Sequence, residues 1–397
     1  MQVSPYHHHW FLHPNVYVAP KINSPFLIDG NLEKDEWTSV PFSDPFDDIR
    51  GQDDAPPPSR PTPACRTRVK MLWDDEYLYI GAMLESDMEV RAVYQERNSP
   101  IYHEDSDFEV FLNPDSSCHS YKELEMNAIN TVWNLMLDKP YADGGQEYSG
   151  RIAKPGDENY YDVINQNTAV RIVEGSINEE GIHRTVWTVE IALSHSDTLN
   201  TLIKNVSTKP KEGDQWRINF SRVEKKGDIN WTWQKQRVWD PERHQFIGKV
   251  DMHMPDAWGY VRFGPSIEES RKNSLWIGEI PNERIAAGNS DAVDPNWPPL
   301  LAVMNIYYAQ SAYLNLHGKY ANNLEELNKF SDQQILQPFT GAIDLSTDTS
   351  GTAYKVELNE SETGDRTTVT VDNTRMITIT SQLDQKELPY QGVTKIK

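Results

Sequence analysis

Residues 101–138, IYHEDSDFEVFLNPDSSCHSYKELEMNAINTVWNLMLD, admit few folds. Side chains on a strand alternate between faces, and this segment alternates twice. In 107–112, Phe108, Val110 and Leu112 share one face, and Glu109 and Phe111 take the other. A turn rich in Asn, Pro, Asp and Ser follows. Residues 121–129 then place Leu124, Met126 and Ala128 on one side and Glu123, Glu125 and Asn127 on the other. The pattern predicts two adjacent strands whose apolar core face is backed by a carboxylate-rich face, with Trp133 close behind. A flat indole beside carboxylates and an amide suits a sugar: the ring covers C–H surface and the polar groups bond hydroxyls. The same alternation also describes the wet face of an ordinary half-solvated sheet.

The period-2 pattern recurs along the chain. RTRVKMLWDDEYLYIGAMLE (66–85) reads as a hairpin around Asp74-Asp75-Glu76, and 168–177 with 184–193 as another. In 215–223, Trp216, Ile218 and Phe220 alternate with Arg217, Asn219 and Ser221, and WGYVRF (258–263) is a last strand. The loop 141–161 lacks periodicity, and long loops in compact domains tend to carry function. About nine short strands with turn signals predict a mainly β protein, an antiparallel, jelly-roll-like β-sandwich over 20–264. An N-terminal segment (1–19) precedes it. A linker (265–300) that ends in a Pro-rich stretch leads to a small C-terminal α+β extension (301–397). Its helix sets Val303, Ile306, Tyr307, Gln310, Tyr313 and Leu314 near one stripe and should bury Val303, Ile306, Tyr307 and Gln310 or Tyr313.

The formal net charge of −22 disfavours nucleic acid and anionic membranes as partners. No apolar run reaches the length of a membrane span. The amino terminus lacks a basic region followed by an apolar stretch, so no secretory signal is readable. His7, His8 and His9 read as a tag or surface patch. Cys65 and Cys118 form no metal or redox spacing; one disulfide and two free thiols are both compatible with them. Of the Asn-x-Ser/Thr matches at Asn205, Asn219, Asn230 and Asn359, Asn219 lies in a predicted strand, which argues against a glycan there.

FLIDGNLEKDEW, VKMLWDDEYLYIGAMLE, HEDSDFEVFLNPD, YKELEMNAINTVWNL, WTVEIAL, GDQWRINFSRVE and HMPDAWGYVRF occur in this order. Together they resemble a family 9 carbohydrate-binding module of the DOMON-like group, over about residues 20–264. The resemblance implies a β-sandwich that binds poly- or oligosaccharide on its concave face without cleaving it, attached to xylanases and other glycoside hydrolases in carbohydrate catabolism. It also implies an extracellular or periplasmic setting. Glu109 takes the place of the family's binding carboxylate and Asn127 that of its asparagine, while Glu125 stands where the family has arginine. The two clamping tryptophans of the family fall at Tyr102 or His103 and near Met252 or His253. Trp133, Trp231, Trp233 and Trp239 are the candidate replacement platforms. Residues 301–327 resemble the helix and turn of type IV pilin-like subunits, which makes the extension a candidate for contact with a protein partner.

Calcium is the cofactor this reading allows, with Asp105 and Asp107 of an acidic turn as its candidate ligands. No HExxH, nucleotide or serine-hydrolase motif occurs. A glycoside hydrolase, or a subunit of one, is the alternative function, with Glu109, Glu123 and Glu125 as the carboxylates available. Arg217 and Arg222 are expected to pair with those glutamates. A structural protein that assembles through the extension is the third reading.

Overall fold

The computed structural model describes residues 5–181, 184–199, 209–362 and 365–381. Asn205 lies outside them. The strands, in chain order, are β1 (Val16–Lys21), β2 (Asp47–Asp48), β3 (Thr67–Trp73), β4 (Tyr77–Ser86), β5 (Asp107–Asn113), β6 (Tyr121–Asn127), β7 (Val132–Leu137), β8 (Glu147–Ser149), β9 (Asn167–Glu174), β10 (Thr185–Ser194), β11 (Gln215–Glu224), β12 (Ile229–Thr232), β13 (Arg237–Asp240), β14 (Gln245–Gly248), β15 (Gly259–Ser266) and β16 (Gly278–Glu279). One continuous sheet runs β8-β7-β6-β5-β11-β15-β1-β3-β4-β10-β9. Its two halves enclose a common core. Phe108, Val110, Leu124, Met126 and Phe220 come from one half, and Val69, Met71, Ile80, Trp187 and Val189 from the other. The expected mainly β sandwich is therefore present, with the four predicted core residues of β5 and β6 buried.

The pairing is not wholly antiparallel. β1 runs parallel to β15 and meets β3 in parallel at Lys21 and Trp73. This strand joins the two halves, and it begins at Val16, before the expected start of the sandwich. Its residues 16–20 are buried, because a strand central in the sheet is covered on both faces.

Glu190 of β10 explains why the IDGNLEKDEW and WTVEIAL segments occur together. Its Oε2 accepts the Asp29 and Gly30 amides at 2.8 and 2.9 Å, and its Oε1 accepts the Trp37 indole N–H at 2.7 Å. Lys34 lies 2.6 Å away as counter-ion. One buried carboxylate thus fixes the Asp29-Gly30 turn and the short helix Asp35–Thr38 on the outside of the sandwich.

The long helix spans Trp297–His317, four residues earlier than its apolar periodicity suggests, because Pro298 and Pro299 are tolerated in a first turn whose N–H groups lack intrahelical partners. It ends at Gly318 in the left-handed conformation. The expected single stripe is corrected. Val303, Ile306, Tyr307 and Gln310 are buried, but so is almost every residue from Trp297 to Ala309, and Tyr313 is half-buried. Two layers cover the helix, which removes the need for a polar face. The antiparallel sheet β17 (Ile343–Thr347), β18 (Tyr354–Glu362), β19 (Asp365–Asp372), β20 (Ile377–Ser381) lies against it, as do the helix His7–Phe11 and β13.

His9 is no tag or surface residue. It is fully buried, packs edge-on to Tyr6 and Phe339, and bonds the Ile335 carbonyl at 3.0 Å. Burial pushes its pKa down to about 4. Cys65 and Cys118 are both free and buried in separate clusters, Cys118 with the long helix. Among the described residues no helix is long and apolar enough to cross a membrane.

Candidate functional site

The outer face of the β7-β6-β5-β11 half is concave and carries three rungs of side chains. Register places Ser221, Glu109, Glu125 and Trp133 side by side across four strands. One rung is Asn219, Phe111, Glu123 and Leu135; the other is Val223, Asp107 and Asn127. Above them is a cavity of about 340 Å³, lined by Glu109, Glu123, Glu125 and Trp133 on the floor and by Tyr102, His103, Tyr141, Met252 and His253 around the rim. This volume sits at the lower end of the roughly 300–1,000 Å³ common for small-molecule sites.

The structure thus brings Tyr102, His103, Glu109, Glu125 and Trp133 to one place. The two regions where the resemblance sets tryptophans, 102–103 and 252–253, both reach its rim. Tyr102 packs on His103 with ring centroids 3.7 Å apart, and Tyr141 meets His253 edge-on at 4.6 Å. Trp133 is 5% exposed, its indole N–H has no partner among the described residues, and the Arg151 guanidinium covers one face at 5.0 Å. Arg151 in turn pairs with Glu147.

Other candidates are taken up by the fold. Asn127 Nδ2 donates to the Tyr94 carbonyl and to Asp105 Oδ2, and its Oδ1 accepts the Ile129 and Thr131 amides, so all four of its bonding positions are filled. Asp105 accepts the Val93 and Tyr94 amides as well as Asn127. The three indoles expected as platforms lie elsewhere. Trp231 is a core residue whose N–H bonds the Ser59 carbonyl. Trp233 bonds Glu279, and Trp239 bonds the Phe330 carbonyl; both line a different cavity. Asn219 is fully buried, bonded to Gln234 and to the Phe220 amide, which leaves no place for a glycan.

Arg217 and Arg222 do not neutralise the glutamates. Arg222 pairs with Glu224 on the core side of β11 at 2.7 Å. Arg217 faces outward, but its one hydrogen bond among the described residues runs to the Trp258 carbonyl. Among the described residues no cation pairs with Glu109, Glu123 or Glu125, and Arg151 on the rim is taken by Glu147. Burial pushes the Glu109 carboxyl up to about 7, partly offset by the Ser221 hydroxyl. Burial, reinforced by the neighbouring carboxylates, raises Asp107, Glu123 and Glu125 well above the usual range. One oxygen each of Asp107, Glu109 and Glu125 lie within 4.8 Å of one another, a spacing that fits a divalent cation. Among the described residues, Asp107 Oδ2 and Glu125 Oε2 have no hydrogen-bond partner. A cation would therefore be held by Asp107 with Glu109 and Glu125, and not by Asp105.

Glu147, Arg151 and Tyr141 complete the rim without having been expected there. They come from the aperiodic loop 141–161, whose length was its only signal.

No family model matches the chain, and no curated protein matches it. Solved structures do. A protein of Bacteroides uniformis proposed to bind carbohydrate is similar over 63% of this chain and 99% of its own, with a TM-score of 0.45 and 13% identity. A family 9 carbohydrate-binding module of Caldicellulosiruptor kristjanssonii, solved with cellotriose, is similar over 63% of this chain and 94% of its own, with a TM-score of 0.35 and 16% identity. The same module with glucose gives a TM-score of 0.35 and 15% identity.

Proposed function

We propose that the concavity binds an oligosaccharide or the end of a polysaccharide without cleaving it. The observation that carries this reading is the Glu109–Glu125–Trp133 rung at the floor of the cavity. Glu109 and Glu125 offer acceptors to sugar hydroxyls, Trp133 and Tyr102 offer apolar surface to the ring, and Tyr141 closes from the rim. An acceptor-rich floor without a paired cation suits a ligand that brings its own donors.

The geometry supports binding over hydrolysis. A glycosidase sets its two carboxyl groups on either side of the scissile bond, roughly 5–10 Å apart. Here one oxygen each of Asp107, Glu109 and Glu125 lie within 4.8 Å of one another on a single floor. On this reading the chain serves to deliver an associated hydrolase to polysaccharide. A second reading rests on the three clustered carboxylates: a bound calcium ion, completed by ligand hydroxyls or water, since calcium takes about six to eight oxygens.

Calorimetry with glucose, cellotriose and xylo-oligosaccharides is the test. Glu109→Gln should weaken binding about tenfold or more, through loss of a charge-assisted bond. Trp133→Ala should weaken it too, through lost apolar contact. The sugars should be recovered uncut. Lack of binding by the parent protein, or unchanged affinity in both variants, would reject the reading.

A further inference from the structure

A larger cavity, of about 470 Å³, lies where the N-terminal helix, the sandwich and the long helix meet. Its walls include the aromatic rings of Trp233, Trp239, Trp297, Phe246 and Tyr308. Gly259 lets Trp233 sit there, since a Cβ at that position would come within 2.6 Å of the indole.

Three cationic side chains line this cavity, and two of them are matched. Lys235 pairs with Asp47 at 3.1 Å and Arg237 with Asp54 at 2.8 Å. The third, Arg217, is 3% exposed and makes no ion pair among the described residues. Its guanidinium is held between the rings of Tyr260, at 4.1 Å, and Trp297, at 5.4 Å. Cation–π contacts orient a guanidinium but do not replace an anion, and a buried charge without a partner is costly. Of the four lining carboxylates, Asp44 is exposed, Asp47 pairs with Lys235, and the other two are committed elsewhere. Asp256 is bound by Arg375 and Tyr308, while Glu279 accepts the Trp233 indole and the Asp44 amide. His13 beside them is kept neutral, its Nε2 accepting the Asp294 amide. A second buried donor, Asn305 Nδ2, also lines the cavity and has no partner among the described residues, since only the Asn305 amide oxygen is used, by the Asp332 backbone N–H.

We infer that this cavity is a second binding site, separate from the acidic concavity, for a small ring-bearing carboxylate that places its anion on Arg217 and its ring against the indole walls. A guanidinium presents a planar fork that matches a carboxylate, and the aromatic walls supply stacking area. Sugar acids and aromatic acids share this chemistry.

The test is calorimetry on the full chain with glucuronate, benzoate and, as the neutral counterpart, glucose. At least one acid should bind, and which one does identifies the source of the ring. Binding should fall about tenfold or more in Arg217→Met and in Met304→Trp, which fills the cavity and leaves Arg217 in place. It should persist in Glu109→Gln, which alters the other site. If Arg217→Met fails to fold, Met304→Trp decides alone. The inference is overturned if neither acid binds, if binding survives Met304→Trp, if glucose displaces the acid from its site with equal affinity, or if Glu109→Gln abolishes it.

Discussion

Glu109 on β5 and Glu125 on β6 stand directly opposite each other, with Asp107 close enough for all three to share one cation. Like charges in register across a sheet are ordinarily destabilising. Among the described residues no cation pairs with these two, and the Ser221 hydroxyl offsets Glu109 only in part, so protonation and a ligand must do the rest.

The first prediction concerns pH. The Glu109 pKa rises from 4.5 to about 7 on folding. A raised carboxyl contributes stability that is fully present below about 4.5 and lost as pH rises through about 7. Glu109→Gln should therefore gain on the parent across that window, by on the order of a few kcal/mol, and level off above it. The comparison must be between variant and parent, because buried histidines act oppositely. His9, His195 and His253 are depressed to about 4 and His13 to about 3 by burial. Their contribution is complete above about 6.5 and lost as pH falls toward those values. Urea titrations of both proteins from pH 4 to 8 check this; a constant offset between them would refute the assignment.

The second prediction separates the cation from the bare cluster. At pH 8, calcium should raise the melting temperature of the parent in proportion to the logarithm of its concentration once the site is saturated. It should do nothing for Glu109→Gln/Glu125→Gln. An unchanged melting temperature in the parent removes the cation reading and leaves hydroxyl donors as the partners of the floor.

Asp105 and Asn127 show where sequence reasoning stops. Both are polar, both lie at the expected place, and both are spent on holding the segment around Val93 and Tyr94. Alternation reveals which face a side chain takes, and so Glu109, Glu125 and Trp133 were readable as neighbours. It does not reveal which distant carbonyl will meet that side chain. The two arginines of β11 were both expected to pair with the glutamates, although residues five apart on a strand take opposite faces and cannot both reach them. Trp231, Trp233 and Trp239 gave no such signal, because a tryptophan serves equally as core and as platform.

The third prediction follows from that distinction. Asp105→Ala strands two backbone amides and the Asn127 side chain, and should cost on the order of 2–4 kcal/mol in chemical denaturation. Its calcium response should match that of the parent, because Asp105 is not in the cluster. Loss of calcium response in a folded Asp105→Ala protein would return this residue to the metal site.

The last prediction concerns Arg375, on the turn between β19 and β20. Its side chain is 4% exposed; Nε lies 3.0 Å from Asp143 Oδ2, and Nη1 lies 3.1 Å from Asp256 Oδ1. Tyr307 donates to Asp143, and Tyr308 donates to Asp256 at 2.8 Å. One guanidinium therefore ties the C-terminal sheet and the long helix to two segments of the sandwich. Asp143 belongs to the short turn Tyr141–Asp143, so the same contact holds Tyr141 at the rim of the acidic concavity. Removing one partner of a buried ion pair leaves the others charged and unmatched, a loss of about 3–5 kcal/mol. Arg375→Met should show that loss in denaturation, together with weaker sugar binding as the Tyr141 turn is released. Adding Asp143→Asn and Asp256→Asn should recover much of the stability, because the stranded charges are gone, but not the affinity. A stability change within about 0.5 kcal/mol, the usual range for a surface substitution, would mean that Arg375 does not fasten the two parts together.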